Sequence, residues 1–343
     1  MTPSELLARI DRIPRVRFLD WPTPLERYPT LESFVGVEPF LVKRDDLTGL
    51  AFGGNKVREL EMFLGEALER DCDVFIAGGG VAQSNHARQC AAAARRAGMD
   101  IHLVLRRGLR ANGRVGNLLV TELFDATIHW VESDPTLQDR DLLSTSMDGV
   151  AAALQEAGRT PYVLHSSFHP LGAIGYVRAG VELLDQMRAR GHGHFTVHTT
   201  SMGATRIGLE LASALLGQPF DVVAAGWRPV DEDLPNRLAV LAAQTADLLD
   251  LPWHPSPADF VTIDSGGPDY GIPSGEALAT LRTVASRSGL LLDPVYSAKG
   301  FSGMMSHIRG RERPQGPVVF LHTGGLPALF AYESDLFSTT GGE

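Results

Sequence analysis

The sequence predicts an α/β protein with parallel sheets. Short apolar runs alternate with segments rich in helix-forming residues along most of the chain. Strands that alternate with helices of about ten residues or more form βαβ units, in which parallel strands are covered by helices on both faces. The predicted strands are residues 74–77, 101–105, 127–131, 162–165, 195–200, 222–227 and 318–322.

The segments between these strands supply the predicted helices. They are residues 84–97, 113–124, 148–157, 173–189, 204–216 and 236–249. The first 40 or so residues are rich in proline (among them Pro14, Pro22, Pro24, Pro29 and Pro39) and predict an extended arm with one short initial helix. No repeat or obvious linker marks a domain boundary.

Composition limits the class of protein. The 343 residues suggest two domains, since one domain takes about 150 residues. Lys and Arg number 31 against 41 Asp and Glu, a net charge of −10, so no basic surface is expected for nucleic acid or anionic membranes. No apolar run reaches the roughly 18 residues of a membrane span, and the amino-terminal residues lack the apolar core of a signal peptide. Cys72 and Cys90 are too few for a disulfide framework or a zinc site. We therefore expect a cytoplasmic protein.

Two glycine-rich segments fail as nucleotide-binding motifs. Residues 78–83 end in Gln83 where the dinucleotide fingerprint needs a glycine or alanine. Residues 49–56 resemble a P-loop but carry Asn55 at the lysine position and no Ser or Thr for magnesium. A nicotinamide or nucleoside triphosphate site is disfavoured at both.

Residues 199–205 follow a predicted strand and open a predicted helix. Small residues there let backbone N–H groups approach an anion, and the helix dipole favours negative charge. Ser201 and Thr205 add hydroxyl donors. The pattern fits a single phosphate, although for these residues taken alone an N-capped helix after a tight turn is the favoured explanation.

Lys56 follows Gly53 and Gly54 and precedes an apolar run. A lysine in apolar surroundings loses hydration, which lowers its pKa and leaves a nucleophilic amine able to form a Schiff base. The alternative is a surface lysine at the start of a helix. A phosphate loop together with a Schiff-base lysine suggests pyridoxal phosphate.

Six segments occur in the order typical of one family. They are residues 43–56, 83–88, 169–172, 270–273, 293–300 and 322–325. On these segments the chain resembles the D-cysteine desulfhydrase/1-aminocyclopropane-1-carboxylate (ACC) deaminase family, a branch of the fold-type II pyridoxal-phosphate enzymes. The likeness runs from the amino-terminal arm to about residue 330. The resemblance implies a small α/β domain at residues 57–166 inserted in a large one built from 1–56 and 167–343. The cofactor would lie between two parallel-sheet domains, in a homodimer.

The resemblance also implies roles for individual residues. Lys56 would hold pyridoxal 5'-phosphate as an internal aldimine and move the Cα proton. Asn85 would bind the pyridoxal 3'-oxygen, and Ser84 and Asn85 the carboxylate of a small amino-acid substrate. His86 would assist there or remain a neutral structural histidine. Tyr270 and Tyr296 would reach the β-carbon and leaving group. The phosphate cradle would be Ser201, Met202, Gly203, Ala204 and Thr205.

Two positions favour one reaction within the family. The ACC deaminase branch carries a glutamate facing the pyridine nitrogen, where this chain has Ser297, and an apolar residue where it has Thr323. Hydroxyl groups leave the ring neutral, which makes a weaker electron sink suited to loss of a good β-leaving group. This predicts a carbon–sulfur lyase that converts D-cysteine or L-cysteate to pyruvate, ammonia and sulfide or sulfite. ACC deamination, β-replacement of cysteine-synthase type and a non-catalytic amino-acid binder are the alternatives. Arg206 would either pair with an anion such as a sulfonate or lie on the helix surface.

Overall fold

The protein forms two parallel-sheet layers covered by helices, which confirms the predicted fold class. The computed structural model describes residues 1–18, 20–107, 113–132, 139–226, 232–260, 262–265, 267, 270–310 and 314–337. The strands are β1 (Leu25–Arg27), β2 (Phe40–Lys43), β3 (Val74–Val81), β4 (Asp100–Arg106), β5 (Thr127–Val131), β6 (Pro161–Leu164), β7 (Phe195–Thr199), β8 (Phe220–Ala225), β9 (Thr262–Ile263) and β10 (Val318–Leu321).

Helices alternate with these strands. They are α1 (Pro3–Ile10), α2 (Pro29–Val35), α3 (Lys56–Glu69), α4 (Asn85–Arg96), α5 (Gly116–Leu123), α6 (Asp139–Glu156), α7 (Pro170–Arg188), α8 (Ala204–Leu215), α9 (Leu234–Leu248), α10 (Gly275–Ser288), α11 (Ser297–Arg309) and α12 (Glu333–Phe337).

The larger sheet joins the two ends of the chain. Its order is β1-β2-β10-β7-β8-β9, and β1 is antiparallel to β2 while the other pairs are parallel. The smaller sheet has the order β5-β4-β3-β6 with all strands parallel. In parallel sheets, ligands bind beyond the carboxyl ends of the strands. The loops after β3, β7 and β10 are therefore the first place to look for a site.

Several elements differ from the sequence prediction. Helices α3, α10 and α11 were not predicted, and the arm contains β1, α2 and β2 in addition to α1. In α3 the charged Arg58, Glu59 and Glu61 interrupt the apolar pattern, yet all three are buried. Strand β3 continues through the glycines at 78–80, beyond the predicted end of the strand at residue 77. The predicted strand at 222–227 ends at Ala225, and Trp227 lies outside the described residues.

A buried ion network holds α3 in place. The Arg58 guanidinium donates to both Asp45 oxygens at 2.8 and 2.9 Å, and to Glu182 Oε2 at 3.0 Å. Lys43 Nζ also pairs with Glu182. Burial by itself raises the pKa of Asp45, but the Arg58 charge and its hydrogen bonds outweigh burial and bring it to about 2. Helix α7 approaches this turn so closely that a Cβ at Gly175 would lie 2.3 Å from the Arg58 carbonyl oxygen.

Candidate active site

The loop that precedes Lys56 is built from glycines that no larger residue could replace. Gly53 has φ +68°, and a Cβ there would lie 2.0 Å from the carbonyl oxygen of Asp46. Gly54 has φ +135°, and its Cβ would lie 2.5 Å from Gln89 Nε2. Positive φ and close approach are what glycine permits. The tight loop places Lys56 as the first residue of α3 with its side chain 17% exposed.

Asn55 links this loop to two distant ones. Its backbone N–H donates to the Thr323 carbonyl oxygen at 3.0 Å. Its side-chain Nδ2 donates to Thr205 Oγ1 at 3.0 Å. The Lys56 loop, the start of α8 and the loop after β10 therefore meet at one asparagine. In the sequence, Asn55 stands out only as part of the 43–56 segment that carries the family resemblance.

The loop between β7 and α8 has the form of an anion cradle. Gly203 stands at the N-cap of α8, and its Cβ would lie 2.7 Å from the Phe168 ring. The first N–H groups of a helix have no partner within the helix, so they can bind an anion. Ser201 is half-buried, while Met202, Ala204 and Thr205 are buried. The Thr200 and Thr323 hydroxyl oxygens lie 3.5 Å apart, which places the cradle beside the loop after β10.

The start of α4 presents the second group of predicted residues. Ser84 caps the helix by accepting from the Ala87 N–H at 3.2 Å. Asn85 Oδ1 accepts from Asn117 Nδ2 at 2.9 Å, which orients the amide. In the described part of the chain, the Asn85 Nδ2 donor has no partner. This orientation suits a donor for an oxygen of a bound molecule.

Arg88 joins α4 to the Lys56 loop. Its guanidinium donates to the carbonyl oxygens of Ala51 and Gly53 and, at 2.6 Å, to Asn117 Oδ1. The side chain is fully buried, and burial lowers its pKa to about 9. Sequence reasoning missed this role, because the carbonyl partners of an arginine leave no residue-type signal.

Tyr270 and Tyr296 form a pair near Gly80, at the carboxyl end of β3. Their hydroxyl oxygens lie 2.6 Å apart. A Cβ at Gly80 would lie 2.7 Å from Ser84 Oγ and 3.5 Å from the Tyr270 hydroxyl, so Ser84 and Tyr270 lie close to each other beside Gly80. Burial raises the pKa of both tyrosines, more strongly for Tyr296. Both hydroxyls are therefore protonated at neutral pH and can donate hydrogen bonds.

Ser297 and Thr323 occupy different surroundings. Ser297 is the first residue of α11, and its hydroxyl lies 2.6 Å from Asp293 Oδ1. Among the described residues this hydroxyl bonds to Asp293 alone. The other Asp293 oxygen accepts from the backbone N–H groups of Val295 and Tyr296, both at 2.9 Å. Thr323 instead lies beside Asn55 and Thr200. The structure thus places Thr323 with the Lys56 loop and Ser297 with Asp293.

Two further predictions concern His86 and Arg206. Burial first, and then the Lys56 charge, lower the pKa of His86 to about 3, so the ring is neutral. Its nitrogens lie 3.5 and 3.7 Å from Cys90 Sγ. Arg206 is 1% exposed and donates to Glu210 Oε1 and Thr262 Oγ1, both at 2.7 Å. The helix-surface alternative for Arg206 is therefore wrong.

These residues fit pyridoxal phosphate. A lysine amine, an oriented amide donor, a helix start opened by Gly203 and a buried hydroxyl converge on the carboxyl ends of the strands. In the described residues no group of three or more metal-binding side chains occurs. No described helix is both long enough and apolar enough to cross a membrane.

Comparisons with known proteins agree with this geometry. Residues 16–324 match the family described as pyridoxal-phosphate dependent enzyme. The chain is 34% identical over 339 residues to a D-cysteine desulfhydrase of Klebsiella pneumoniae subsp. pneumoniae, covering 96% of this chain and 99% of that protein. It is also 34% identical over 331 residues to a Pyrococcus abyssi protein provisionally named ACC deaminase, covering 96% and 97%. A crystal structure of an ACC deaminase homologue superposes with a TM-score of 0.88 at 32% identity, covering 98% of this chain and 99% of that one.

Fold and site together define a pyridoxal-phosphate-dependent enzyme. Within that class, the chain belongs to the D-cysteine desulfhydrase/ACC deaminase family, as its nearly full-length likeness to these relatives requires.

Proposed function

We propose that the enzyme eliminates the β-substituent of a small amino acid, with Lys56 holding the cofactor. The substrate class is a three-carbon amino acid with a good leaving group, such as D-cysteine or L-cysteate. The products would be pyruvate, ammonia and sulfide or sulfite. The observation that carries the proposal is the position of the Tyr270–Tyr296 pair near Ser84, because it brings two protonated hydroxyls close to the proposed binding site of the substrate carboxylate.

Each proposed role follows from a contact described above. Ser84 and the start of α4 would bind the substrate carboxylate, and Asn85 Nδ2 the pyridoxal 3'-oxygen. The cradle at residues 201–205 would bind the phosphate. Pyridoxal phosphate, when bound, acts as an electron sink for the Cα–H bond. Lys56 would take the Cα proton, and Tyr270 and Tyr296 would hydrogen-bond to the leaving group.

We favour β-elimination over ACC deamination because of the polar groups that would lie near the pyridine nitrogen of the cofactor. We assign Thr323 and Ser297 as the residues near the pyridine nitrogen, so the nitrogen would have no carboxylate partner. Ser297 lies close to Asp293. Support comes from Asp293, whose two oxygens already accept from the N–H and O–H groups of residues 295–297. A hydroxyl at this place favours a leaving group that departs easily over one that needs a strong electron sink.

The experiment is a substrate panel with separate product assays. D- and L-cysteine, L-cysteate, β-chloroalanine and ACC are supplied, and keto acid, ammonia, sulfide and sulfite are measured. Pyruvate from the three-carbon substrates is the expected result. Formation of 2-oxobutyrate from ACC alone would replace the proposal by ACC deamination, which the names of two relatives make the second candidate. A new amino acid on addition of an external thiol would indicate β-replacement.

The role of Lys56 is tested without turnover. Borohydride reduction should fix the cofactor to Lys56, and a peptide map should find the adduct there. Lys56→Ala should bind the cofactor only reversibly. A stable adduct at another lysine would refute the assignment.

We also propose the division into a 57–166 domain and a 1–56 plus 167–343 domain, with a homodimer in the cytoplasm. The two sheets support the division, since β3–β6 form one and the strands from both ends form the other. Exposed aromatic side chains at Phe52, Phe330 and Phe337 are surface that a second copy could cover. Cys72 and Cys90 are free thiols, as expected in a reducing compartment. Light scattering after size exclusion tests the dimer.

A further inference from the structure

Glu59 places a buried carboxylate directly against Lys56. It lies one helical turn further along α3, and its side chain is 1% exposed. Lys56 Nζ is 2.9 Å from Glu59 Oε1 and 3.0 Å from Oε2, so the amine contacts both oxygens. This pair is much less hydrated than a surface ion pair, and its geometry is bidentate.

The same carboxylate touches the proposed phosphate cradle. Thr205 Oγ1 donates to Glu59 Oε1 at 3.2 Å. Because Asn55 Nδ2 donates to this hydroxyl oxygen, the Thr205 proton is directed at Glu59. Glu59 is therefore fixed between the amine at one end of the proposed cofactor site and the helix start at the other.

The neighbouring elements bring no competing charge at neutral pH. Helix α4 contributes His86 and Cys90, and helix α7 contributes Tyr176. Burial lowers the pKa of His86 to about 3 and raises the pKa of the Cys90 thiol and the Tyr176 phenol well above their usual values. All three are neutral between about pH 5 and 8. Within the part of the chain that the structure describes, Lys56 is the charged group that acts on Glu59.

Burial makes Glu59 a better proton acceptor than an exposed carboxylate. Burial raises the pKa of Glu59, although the Lys56 charge and the hydrogen bonds from Lys56 and Thr205 partly oppose it. A carboxylate that is poorly hydrated and has one cation partner takes a proton from that partner at smaller cost than an exposed carboxylate does.

We propose that Glu59 is the proton acceptor that makes Lys56 nucleophilic when the cofactor is captured. One proton moves from the Nζ ammonium to a Glu59 oxygen, leaving a neutral amine and a neutral carboxylic acid. The charge of the pair is unchanged, and no proton passes to solvent. The amine then has a free electron pair for the aldehyde carbon. Glu59 acts through Lys56 and is a positioning residue. The inference rests on the proposed role of Lys56.

The pH dependence of cofactor capture tests the proposal. Full-length protein is freed of cofactor with hydroxylamine, dialysed and mixed with pyridoxal 5'-phosphate, and the rate of covalent capture is followed by absorbance and by borohydride trapping. In Glu59→Gln the ammonium must lose its proton to solvent. While the amine is mostly protonated, the capture rate therefore falls about tenfold for each unit by which the pH is lowered. In the wild type the proton moves within the pair, so the rate stays nearly constant between about pH 6 and 8. Dividing the variant rate by the wild-type rate at each pH cancels the pH dependence that comes from ionisation of the free cofactor.

Matched variants separate this role from a structural one. Glu59→Asp keeps a carboxylate and should restore the flat profile at a lower rate. Glu61→Gln alters another buried carboxylate of α3, which binds the Phe18 N–H and Trp21 Nε1, and should keep the wild-type profile. A variant-to-wild-type ratio that does not change with pH for Glu59→Gln would overturn the inference while leaving Lys56 as the capture site. Unchanged capture in Lys56→Ala would overturn both.

Discussion

The hydroxyl oxygens of Tyr270 and Tyr296 lie 2.6 Å apart, although the residues are 26 positions apart and belong to different segments. Each hydroxyl can donate only one proton, so one of the two tyrosines donates to the other. Ser84 Oγ and the Tyr270 hydroxyl both lie near the position that a Cβ at Gly80 would occupy. We propose that this pair hydrogen-bonds to an anion that departs near Ser84.

Removing one tyrosine hydroxyl should therefore slow elimination. We expect Tyr296→Phe and Tyr270→Phe each to lower kcat/KM by about 100-fold, the lower range for a lost proton donor. The effect should be larger for cysteine than for β-chloroalanine, because chloride needs less assistance to leave. Steady-state assays of pyruvate measure it. Tyr162 of β6 donates a hydrogen bond to Glu66 of α3, and Tyr162→Phe, which loses this bond, is the control and should retain activity. Equal losses for both substrates would argue against a role at the leaving group.

We expect Asn55 to support cofactor binding through its hydrogen bond to Thr205 of the proposed phosphate cradle. Asn55→Ala removes the Nδ2 bond that orients Thr205 and leaves this buried hydroxyl without its donor. Loss of one buried hydrogen bond costs about 1–3 kcal/mol, which corresponds to roughly 5- to 150-fold in affinity. Equilibrium titration with pyridoxal 5'-phosphate gives the dissociation constant. Asn236→Ala, at an exposed contact with Asp233, serves as the reference. An unchanged dissociation constant in Asn55→Ala would remove Asn55 from the site.

Asp45 should stabilise the fold in a pH-dependent way. Asp45→Asn leaves Arg58 with one carboxylate partner fewer, and breaking a buried ion pair costs about 3–5 kcal/mol of unfolding free energy. The folded-state pKa of about 2 lies below the ordinary value of 3.8, so the ionised carboxylate stabilises the protein above pH 4. That contribution, about 2 kcal/mol, is lost as the pH falls through 2.

Urea unfolding at pH 7, 5, 4 and 3 measures this dependence. The difference between wild type and Asp45→Asn should be constant from pH 7 to 5 and shrink below pH 4. Asp73→Asn, which alters an exposed pair with Arg159, should have little effect at any of these values. A difference that does not vary with pH would contradict the ionised state of Asp45.

Much of the fold was predictable because its signals are local. Alternation of apolar runs with helix-forming segments gave the strands β3–β8 and β10 and most of the helices between them. Helix α3 was missed because Arg58, Glu59 and Glu61 look solvent-exposed in a periodicity argument. Their burial is possible only because Asp45, Lys56 and the backbone near Phe18 lie next to them.

The site was predictable in its chemistry and not in its arrangement. Lys56, the small residues at 201–205 and the hydroxyls at 297 and 323 could be selected from the sequence and the resemblance. Arg88 and Asn55 could not be given roles, because their partners are backbone carbonyls or residues as far as 150 positions away. Glu59 carries no motif signal at all.

The sequence by itself determined the alternation of strands and helices, the glycine loop that leads into Lys56, and the set of groups that point to pyridoxal phosphate. These depend on the residue and its near neighbours. Only the tertiary structure decided that Asn55 joins three loops, that the Tyr270 and Tyr296 hydroxyls hydrogen-bond to each other, and that Glu59 faces Lys56. Contacts of this kind arise when parallel strands align their carboxyl ends, and that alignment depends on the packing of the whole chain.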